Sequence, residues 1–254
     1  MILDNLTEDE KYFVAMVNDR LRDAEEGKGT RFAGFLDGRR REIAKTVIDR
    51  KGYGRYMFYG GYDGAEREYL GIFPEYTEPD KDEFPISAVT CSYRKADMLS
   101  HRDFLGALTG LGIKRESIGD ILVGEEKCVI FLSDLAAKVV ENELRKVGRA
   151  GVRTESGITS ELPEGEKFGE ISGTVASLRI DCIVSMLIGA SREKASEKIR
   201  SGCVFRNYEE VLKVSDEVSV GDVISIRGNG KYVLSESCGE TKKGRIKIKV
   251  KKYL

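Results

Sequence analysis

The last third of this 254-residue chain carries the pattern that most restricts how it can fold. Apolar residues recur at steps of three and four over residues 180–188, which is the spacing of one helical face. Gly189 follows as a candidate helix end, and Ser191 is a candidate N-cap for a second helix that closes at Gly202. The spacing therefore predicts two short helices in succession.

Alternating runs follow the two predicted helices. Ile224 and Ile226 are separated by Ser225, and residues 246–251 alternate Ile or Val with Lys. Because successive side chains of a strand point to opposite faces, these runs predict strands with one apolar face. In the second run the opposite face is uniformly cationic.

The charge of the chain is divided unevenly along its length. Residues 171–254 contain 16 Lys plus Arg against 10 Asp plus Glu, a net of +6. Residues 1–170 contain 26 against 33, a net of −7, so the overall charge of −1 hides a basic C-terminal part. Clustered cations favour a polyanionic partner, because binding releases the counterions of its phosphates. The alternative interpretation of the lysines is an ordinary solvated face.

This C-terminal pattern resembles the S4 RNA-binding domain over roughly residues 172–235. The match departs at one hairpin, where the usual Val-Asn-Gly reads Arg206-Asn207-Tyr208. The resemblance is carried, in order, by Arg179, Asp181, Ser191-Arg192, Ala195, Ile199, Gly202, Val204 and Gly221-Asp222. Read over its full length, the chain resembles the YlmH group of bacterial S4-domain proteins. That wider resemblance is carried by GGYDGAERE near residue 60, HRDFLGALTGLGIKRESIGDI from residue 101, and GETKKGR near the end.

The resemblance implies a function as well as a fold. It implies a bacterial cytoplasmic protein that binds RNA without catalysis and associates with ribosomes in ribosome-associated quality control. Its implied partners are ribosomal RNA of the large subunit and peptidyl-tRNA.

The fold class predicted for the whole chain is multidomain α+β. Residues 1–80 predict a mostly helical N-terminal domain, with a capping box formed by Thr7 and Glu10. An acidic, proline-containing linker follows. Residues 83–165 predict a β-α-β-β-α-β order, which is typical of the ferredoxin-like sandwich that RRM domains share. Residues 172–254 predict the S4-like domain with a basic C-terminal strand.

Individual elements can be placed from the same patterns. The predicted helices cover residues 7–26, 39–50, 100–112 and 134–147, and the predicted strands cover residues 55–59, 86–93, 121–123 and 127–132, with a last strand near Val152. The string KCVIFLS offers only Phe131 as an aromatic residue, so the central domain is expected to lack the usual RNA platform of an RRM. The segment RYMFYGGYDGAERE mixes tyrosines with Arg55 and Arg67. It is either a base-stacking surface or a packed strand and turn.

The candidate RNA contacts are polar or cationic side chains expected to point outward from the C-terminal domain. We therefore expect that changing Arg192 and Lys198 to Glu would weaken RNA binding without unfolding the protein. The full set is Arg179, Ser191, Arg192, Lys194, Lys198, Arg200, Arg206, Arg227, Lys231, Lys242, Lys243, Arg245, Lys247, Lys249 and Lys251.

Other function classes find little support in the sequence. The five cysteines are scattered without a CxxC pair, so reduced thiols are expected rather than disulfides or a metal site. We expect no cofactor, no membrane span and no catalytic residues, and the patterns do not indicate an oligomeric state. Two alternatives stay open: an RNA-modifying enzyme anchored by its S4-like domain, and a cell-division accessory protein that acts through protein contacts.

Overall fold

The computed structural model describes residues 3, 6–159, 161–163, 168–241 and 244–253. Within them the chain is a mixed α+β protein with six α-helices and several antiparallel sheets. It forms two compact units, residues 1–165 and 166–254. The first unit contains both segments that the sequence predicts as separate domains. The three-domain division stays a prediction.

The N-terminal part of the first unit packs two helices on a three-stranded sheet of order β1-β3-β2. The predicted capping box of Thr7 and Glu10 begins the first helix and is confirmed. Strands β1 and β3 were not predicted. They pair antiparallel, with a shift of register between Ala33 and Leu36. The elements are α1 (Glu8–Glu25), β1 (Arg31–Leu36), α2 (Gly38–Lys51), β2 (Tyr56–Tyr59) and β3 (Glu68–Ile72).

The central part of the first unit follows the predicted β-α-β-β-α-β order. Its antiparallel sheet has the order β5-β6-β4-β9, and a two-stranded hairpin, β7-β8, lies between the second helix and the last strand. The elements are β4 (Ile86–Ser92), α3 (His101–Gly110), β5 (Ile118–Val123), β6 (Lys127–Ser133), α4 (Asp134–Glu143), β7 (Lys146–Val147), β8 (Ala150–Gly151) and β9 (Arg153–Ser156).

Helix α4 is shorter than predicted, because the sequence pattern extended it to residue 147. The helix ends where Leu144 adopts an extended conformation, with φ −73° and ψ 108°. The guanidinium of Arg145 then donates to the carbonyl oxygens of Glu141, Asn142 and Leu144. These bonds give hydrogen-bond donors to carbonyl oxygens that would otherwise lack a partner at the helix end. Gly148 then lies in the turn between β7 and β8.

Both faces of the central sheet are buried. One face packs against α3 and α4 through Cys128, Ile130 and Leu132. The alternate residues Val129 and Phe131 pack instead into an aromatic cluster with residues of the N-terminal part, such as Phe35 and Phe73. The face on which an RRM stacks bases is therefore covered by protein here.

The second unit is one six-stranded antiparallel sheet, of order β10-β15-β14-β13-β11-β12, with two helices on one of its faces. Gly189 ends the first helix with φ 62°, and Ser191 caps the second, so both predictions are confirmed. The predicted domain starts at residue 172, but strand β10 already begins at Phe168. The elements are β10 (Phe168–Val175), α5 (Ile180–Ile188), α6 (Arg192–Arg200), β11 (Val204–Arg206), β12 (Glu209–Glu210), β13 (Val223–Ile226), β14 (Gly230–Glu240) and β15 (Ile246–Tyr253).

Candidate nucleic-acid interface

A buried carboxylate lies at the centre of the two-helix surface. Asp181, in the first turn of α5, has a side chain that is only 5% exposed. It accepts hydrogen bonds from Nε of Arg179 at 3.2 Å and from Nη2 of Arg192 at 2.5 Å. Arg179 immediately precedes α5 and Arg192 begins α6. The carboxylate therefore joins the starts of the two helices.

The electrostatics of this group keep Asp181 charged. Burial by itself would raise the pKa of Asp181, but the hydrogen bonds from Arg192 and Arg179 outweigh burial and lower it below the usual aspartate value. The same contact raises the pKa of Arg192. The two arginines remain about half exposed, at 40% and 54%. We call Arg179, Asp181 and Arg192 the arginine clamp.

The remaining candidates on α6 occupy different environments. Ser191 is an N-cap whose side chain accepts from the Lys194 backbone N–H, so its hydroxyl has a structural partner. Lys198 donates from Nζ to the backbone carbonyl of Arg227 at 3.0 Å. Lys194 and Arg200 are exposed. These two add accessible positive charge to the helix.

That Arg192 and Lys198 can be changed to Glu without unfolding the protein stays a prediction, but the contact of Arg192 gives a reason to expect a cost in stability. Its guanidinium contacts the buried carboxylate of Asp181, so a glutamate at this position would bring two carboxylates together where water is largely excluded. Changing Arg192 and Lys198 to Glu would therefore confuse lost RNA contact with lost stability.

The predicted lysine row on β15 has the expected alternation. Ile248 and Val250 are buried in the core, while Lys247 and Lys251 are exposed. The face is not uniformly cationic, however, because strands on either side contribute acids. Glu170 of β10 lies opposite Lys251, and Glu236 of β14 pairs with Lys249 at 3.0 Å. The hydrogen bond to Glu236 raises the pKa of Lys249.

The helix surface and the lysine row lie on opposite faces of the sheet. The core between sheet and helices contains Ile183 and Ala195 from the helices and Ile248 and Val250 from β15. Side chains at alternate positions of β15 point to the other face, so the lysine row is separated from α5 and α6 by the sheet. The candidates on the helices and those on β15 therefore belong to two separate surfaces.

The other candidates each have a partner within the second unit, where the structure describes them. Arg206 donates to the backbone carbonyl of Glu217, and Arg245 donates to the carbonyl of Thr174 at 2.6 Å. The Arg227 guanidinium lies over the Phe205 ring, 5.1 Å from its centroid. Nζ of Lys231 lies 4.1 Å from the ring centroid of Tyr253. Lys242 and Lys243 fall outside the described residues.

Two groups of residues that the structure places at these surfaces were not proposed from the sequence. Asp181 was noted as part of a motif but was not assigned a role, although an acid two residues after Arg179 at a helix start is a usable signal. The aromatic residues Phe205, Tyr208 and Tyr253 carried no such signal. They come together only through strand pairing.

The aromatic segment of the first unit is a packed strand and turn. Tyr62 stacks on Phe131 at 4.7 Å and donates to the carboxylate of Asp120. The half-buried Arg67 guanidinium donates to the carbonyl oxygens of Ile118 and Phe35. Burial lowers the pKa of Arg67 to about 10. Of the two interpretations of this segment, the geometry favours packing.

The residues that the structure describes contain no metal-ligand cluster and no membrane-spanning helix. No group of three or more His, Cys, Asp or Glu side chains is arranged there to hold a metal ion. None of the helices found there is both long and apolar enough to cross a bilayer. The five cysteines are free thiols.

Comparison with known proteins gives three similarities. A family model described as "Putative RNA-binding domain in YlmH" matches residues 79–161. The chain is 33% identical over 249 residues to the "Ribosome-associated protein quality control protein P2" of Bacillus subtilis (strain 168), covering 97% of this chain and 96% of that protein. A solved structure, "Cell division protein ylmH from Streptococcus pneumoniae", matches with a TM-score of 0.54 at 21% identity. That match covers 63% of this chain and 98% of the other, and it indicates shared fold alone.

Proposed function

The chain belongs to the YlmH family, and from this premise we propose that it is a non-enzymatic RNA-binding protein that associates with the ribosome in ribosome-associated quality control. The relative from Bacillus subtilis is named for ribosome association and protein quality control. Ribosome association would also place the protein in the cytoplasm.

The observation that carries this proposal is the arginine clamp. Guanidinium groups bind phosphate through paired, parallel hydrogen bonds, which requires a fixed orientation. Asp181 orients Arg179 and Arg192 while leaving both about half exposed. Because the side chains are ordered before a ligand arrives, less conformational entropy is lost on binding. The clamp is therefore suited to two neighbouring phosphates of a folded RNA.

The proposed partners are ribosomal RNA of the large subunit and, beyond it, peptidyl-tRNA. Structured RNA is recognised mainly by its shape and by phosphate and ribose contacts, which cations on two short helices can make. Lys194 and Arg200 are two further exposed cations on α6, the helix that carries Arg192.

The finer fold assignments belong to the same proposal. We assign residues 172–254 to the S4-like domain and residues 83–165 to a ferredoxin-like, RRM-related domain. In support, the central sheet places its four main strands in the antiparallel order 4-1-3-2, counted along that domain. Because the outer face of that sheet is covered, we expect RNA contacts of this domain to use its other surfaces.

The test compares two variants in cosedimentation with large ribosomal subunits over a range of salt concentrations. Arg179→Lys with Arg192→Lys keeps the charge but removes the planar forks. Lys194→Gln with Arg200→Gln removes two exposed charges. We expect both variants to bind several-fold more weakly than wild type. Only the second should flatten the dependence of log affinity on log salt, by about 0.9 per lost phosphate contact.

A matched control removes two exposed lysine charges from the first unit, Lys51→Gln with Lys138→Gln. This control should sediment like wild type. Equal cosedimentation of the control and both interface variants at every salt concentration would refute the assignment of binding to the two-helix surface.

A further inference from the structure

The outer face of the second unit's sheet, opposite α5 and α6, carries aromatic side chains in a row across the strands. Phe205 of β11 pairs with Ser225 of β13, which pairs with Lys231 of β14. The next strand places Tyr253 beside Lys231, with Nζ 4.1 Å from the tyrosine ring centroid. Neighbouring strands are about 4.8 Å apart, so an aromatic ring lies at each end of a row roughly three strand spacings long.

Tyr208 supplies a third ring on this face. Its backbone lies in the left-handed region, which is unfavourable for a residue other than glycine. It is the second loop residue of the β11-β12 hairpin, where Asn207 and Tyr208 have φ of 48° and 68°. A two-residue hairpin loop with both φ values positive favours glycine at this position. The Tyr208 ring lies 5.8 Å from Nζ of Lys231. The chain therefore holds a tyrosine where backbone energetics favour glycine, and the ring joins the aromatic row.

Positive charge runs beside these rings on the same face. Lys247, Lys249 and Lys251 of β15 point to this side of the sheet, spaced about 7 Å apart, which is twice the rise per residue of a strand. Arg227 lies over Phe205 at the other end. Glu170 and Glu236 interrupt the lysines without reversing the excess of positive charge.

We propose that this face, which we call the stacking face, binds unpaired nucleotides of single-stranded RNA. Phe205, Tyr208 and Tyr253 would stack on bases, and the lysine row would contact the phosphates that follow. Aromatic rings beside a basic track are the general arrangement for single-strand binding, since every base has a stacking surface. The excess of lysine favours a phosphate backbone over a protein partner. This inference extends the proposed RNA-binding function to a second surface and rests on it.

The test measures binding of the full-length protein to two fluorescent probes, an oligouridylate of about ten nucleotides and a duplex RNA hairpin. Tyr208→Gly restores the favoured hairpin loop residue, so its melting temperature should equal or exceed that of wild type. We expect its affinity for oligouridylate to fall about 5- to 150-fold, which corresponds to losing one stacked base. Its affinity for the duplex should be unchanged. Tyr253→Leu should behave similarly toward the two probes.

Tyr12→Leu is the matched control, because Tyr12 is a 76% exposed tyrosine in α1. It should bind both probes like wild type. Wild-type affinity of Tyr208→Gly for oligouridylate would overturn the stacking face, as would an equal loss for both probes. If wild type binds the duplex but not oligouridylate, single-strand binding fails while the proposed function stands. If wild type binds neither probe nor ribosomes, the proposed RNA-binding function itself is refuted, and the stacking face with it.

Discussion

At the scale of single residues, Asp181 links the stability of the second unit to its binding surface. Its carboxylate is buried, yet it is charged because two guanidinium groups donate to it. Removing a buried charged acceptor leaves its donors without their partner. One substitution of Asp181 should therefore affect both folding and RNA binding. Lowering the pH should protonate the Asp181 carboxylate and so remove its stabilising charge.

We predict that Asp181→Asn lowers the free energy of unfolding at pH 7 by about 1.5–3 kcal/mol, the usual value for hydrogen bonds to a charged group. The pKa of Asp181 is lowered in the folded state, so its stabilising contribution is present above the unfolded-state pKa of about 3.9 and is lost as pH falls through the folded value. Urea unfolding between pH 7 and pH 3 should show the difference between wild type and variant shrinking at the acid end.

Glu197→Gln supplies the control for this measurement, since Glu197 is an exposed carboxylate on α6. It should change the unfolding free energy by less than about 0.5 kcal/mol. A difference between wild type and Asp181→Asn that stays constant with pH would contradict the assignment of a stabilising charge to Asp181.

At the scale of elements, β15 shows how one strand serves both core and surface. It is an interior strand, paired with β10 on one side and β14 on the other. Ile248 and Val250 anchor it in the core, which fixes the register of its lysines relative to Glu170 and Glu236. The spacing of the lysines on the strand is therefore set by core packing. The net positive charge around them is set by the acidic residues of the neighbouring strands.

Replacing Lys247, Lys249 and Lys251 with Gln should reduce RNA affinity and flatten its salt dependence while leaving the melting temperature nearly unchanged. The ion pair of Lys249 with Glu236 is surface-exposed, and such pairs contribute about 0–1 kcal/mol. Fluorescence anisotropy with RNA at several salt concentrations measures the affinity and its slope.

The reciprocal variant gives the contrast. Glu170→Gln with Glu236→Gln removes the interrupting acids, so it should raise RNA affinity and steepen the salt slope. If neither variant differs from wild type in affinity or slope, the lysine row is only a solvated face.

At the scale of the whole molecule, the two units differ in what they expose. The first unit carries the acidic excess of the chain and buries both faces of its central sheet. The second carries the basic excess and has its two helices on one sheet face, with the lysine row and the aromatic rings on the other. RNA binding is therefore expected to depend mainly on the second unit, with the first supplying other contacts.

No chemical change in bound RNA is expected. Purified protein incubated with ribosomal RNA, with or without S-adenosylmethionine, should yield no new pseudouridine or methylated nucleoside when the digested RNA is analysed by mass spectrometry. A known RNA-modifying enzyme run in parallel supplies the positive control. A reproducible new nucleoside would identify the chain as an enzyme and overturn the non-enzymatic proposal.

Local sequence determined the elements that depend on neighbours in the chain. The capping box at Thr7, the helix end at Gly189 and the cap at Ser191 were predictable because each involves residues within one or two helical turns. The alternation on β15 was predictable for the same reason, since side-chain direction in a strand repeats every two residues.

Tertiary structure alone decided which surfaces exist. Arg192 reaches Asp181 across a helix junction, and Tyr253 reaches Lys231 across paired strands. The sheet separates the lysine row from the helices, and the N-terminal aromatic residues cover Phe131. Each of these contacts joins residues that are distant along the chain or on different elements. Periodicity and spacing report which way a side chain points from its own element, whereas sheet order and packing determine what that side chain meets.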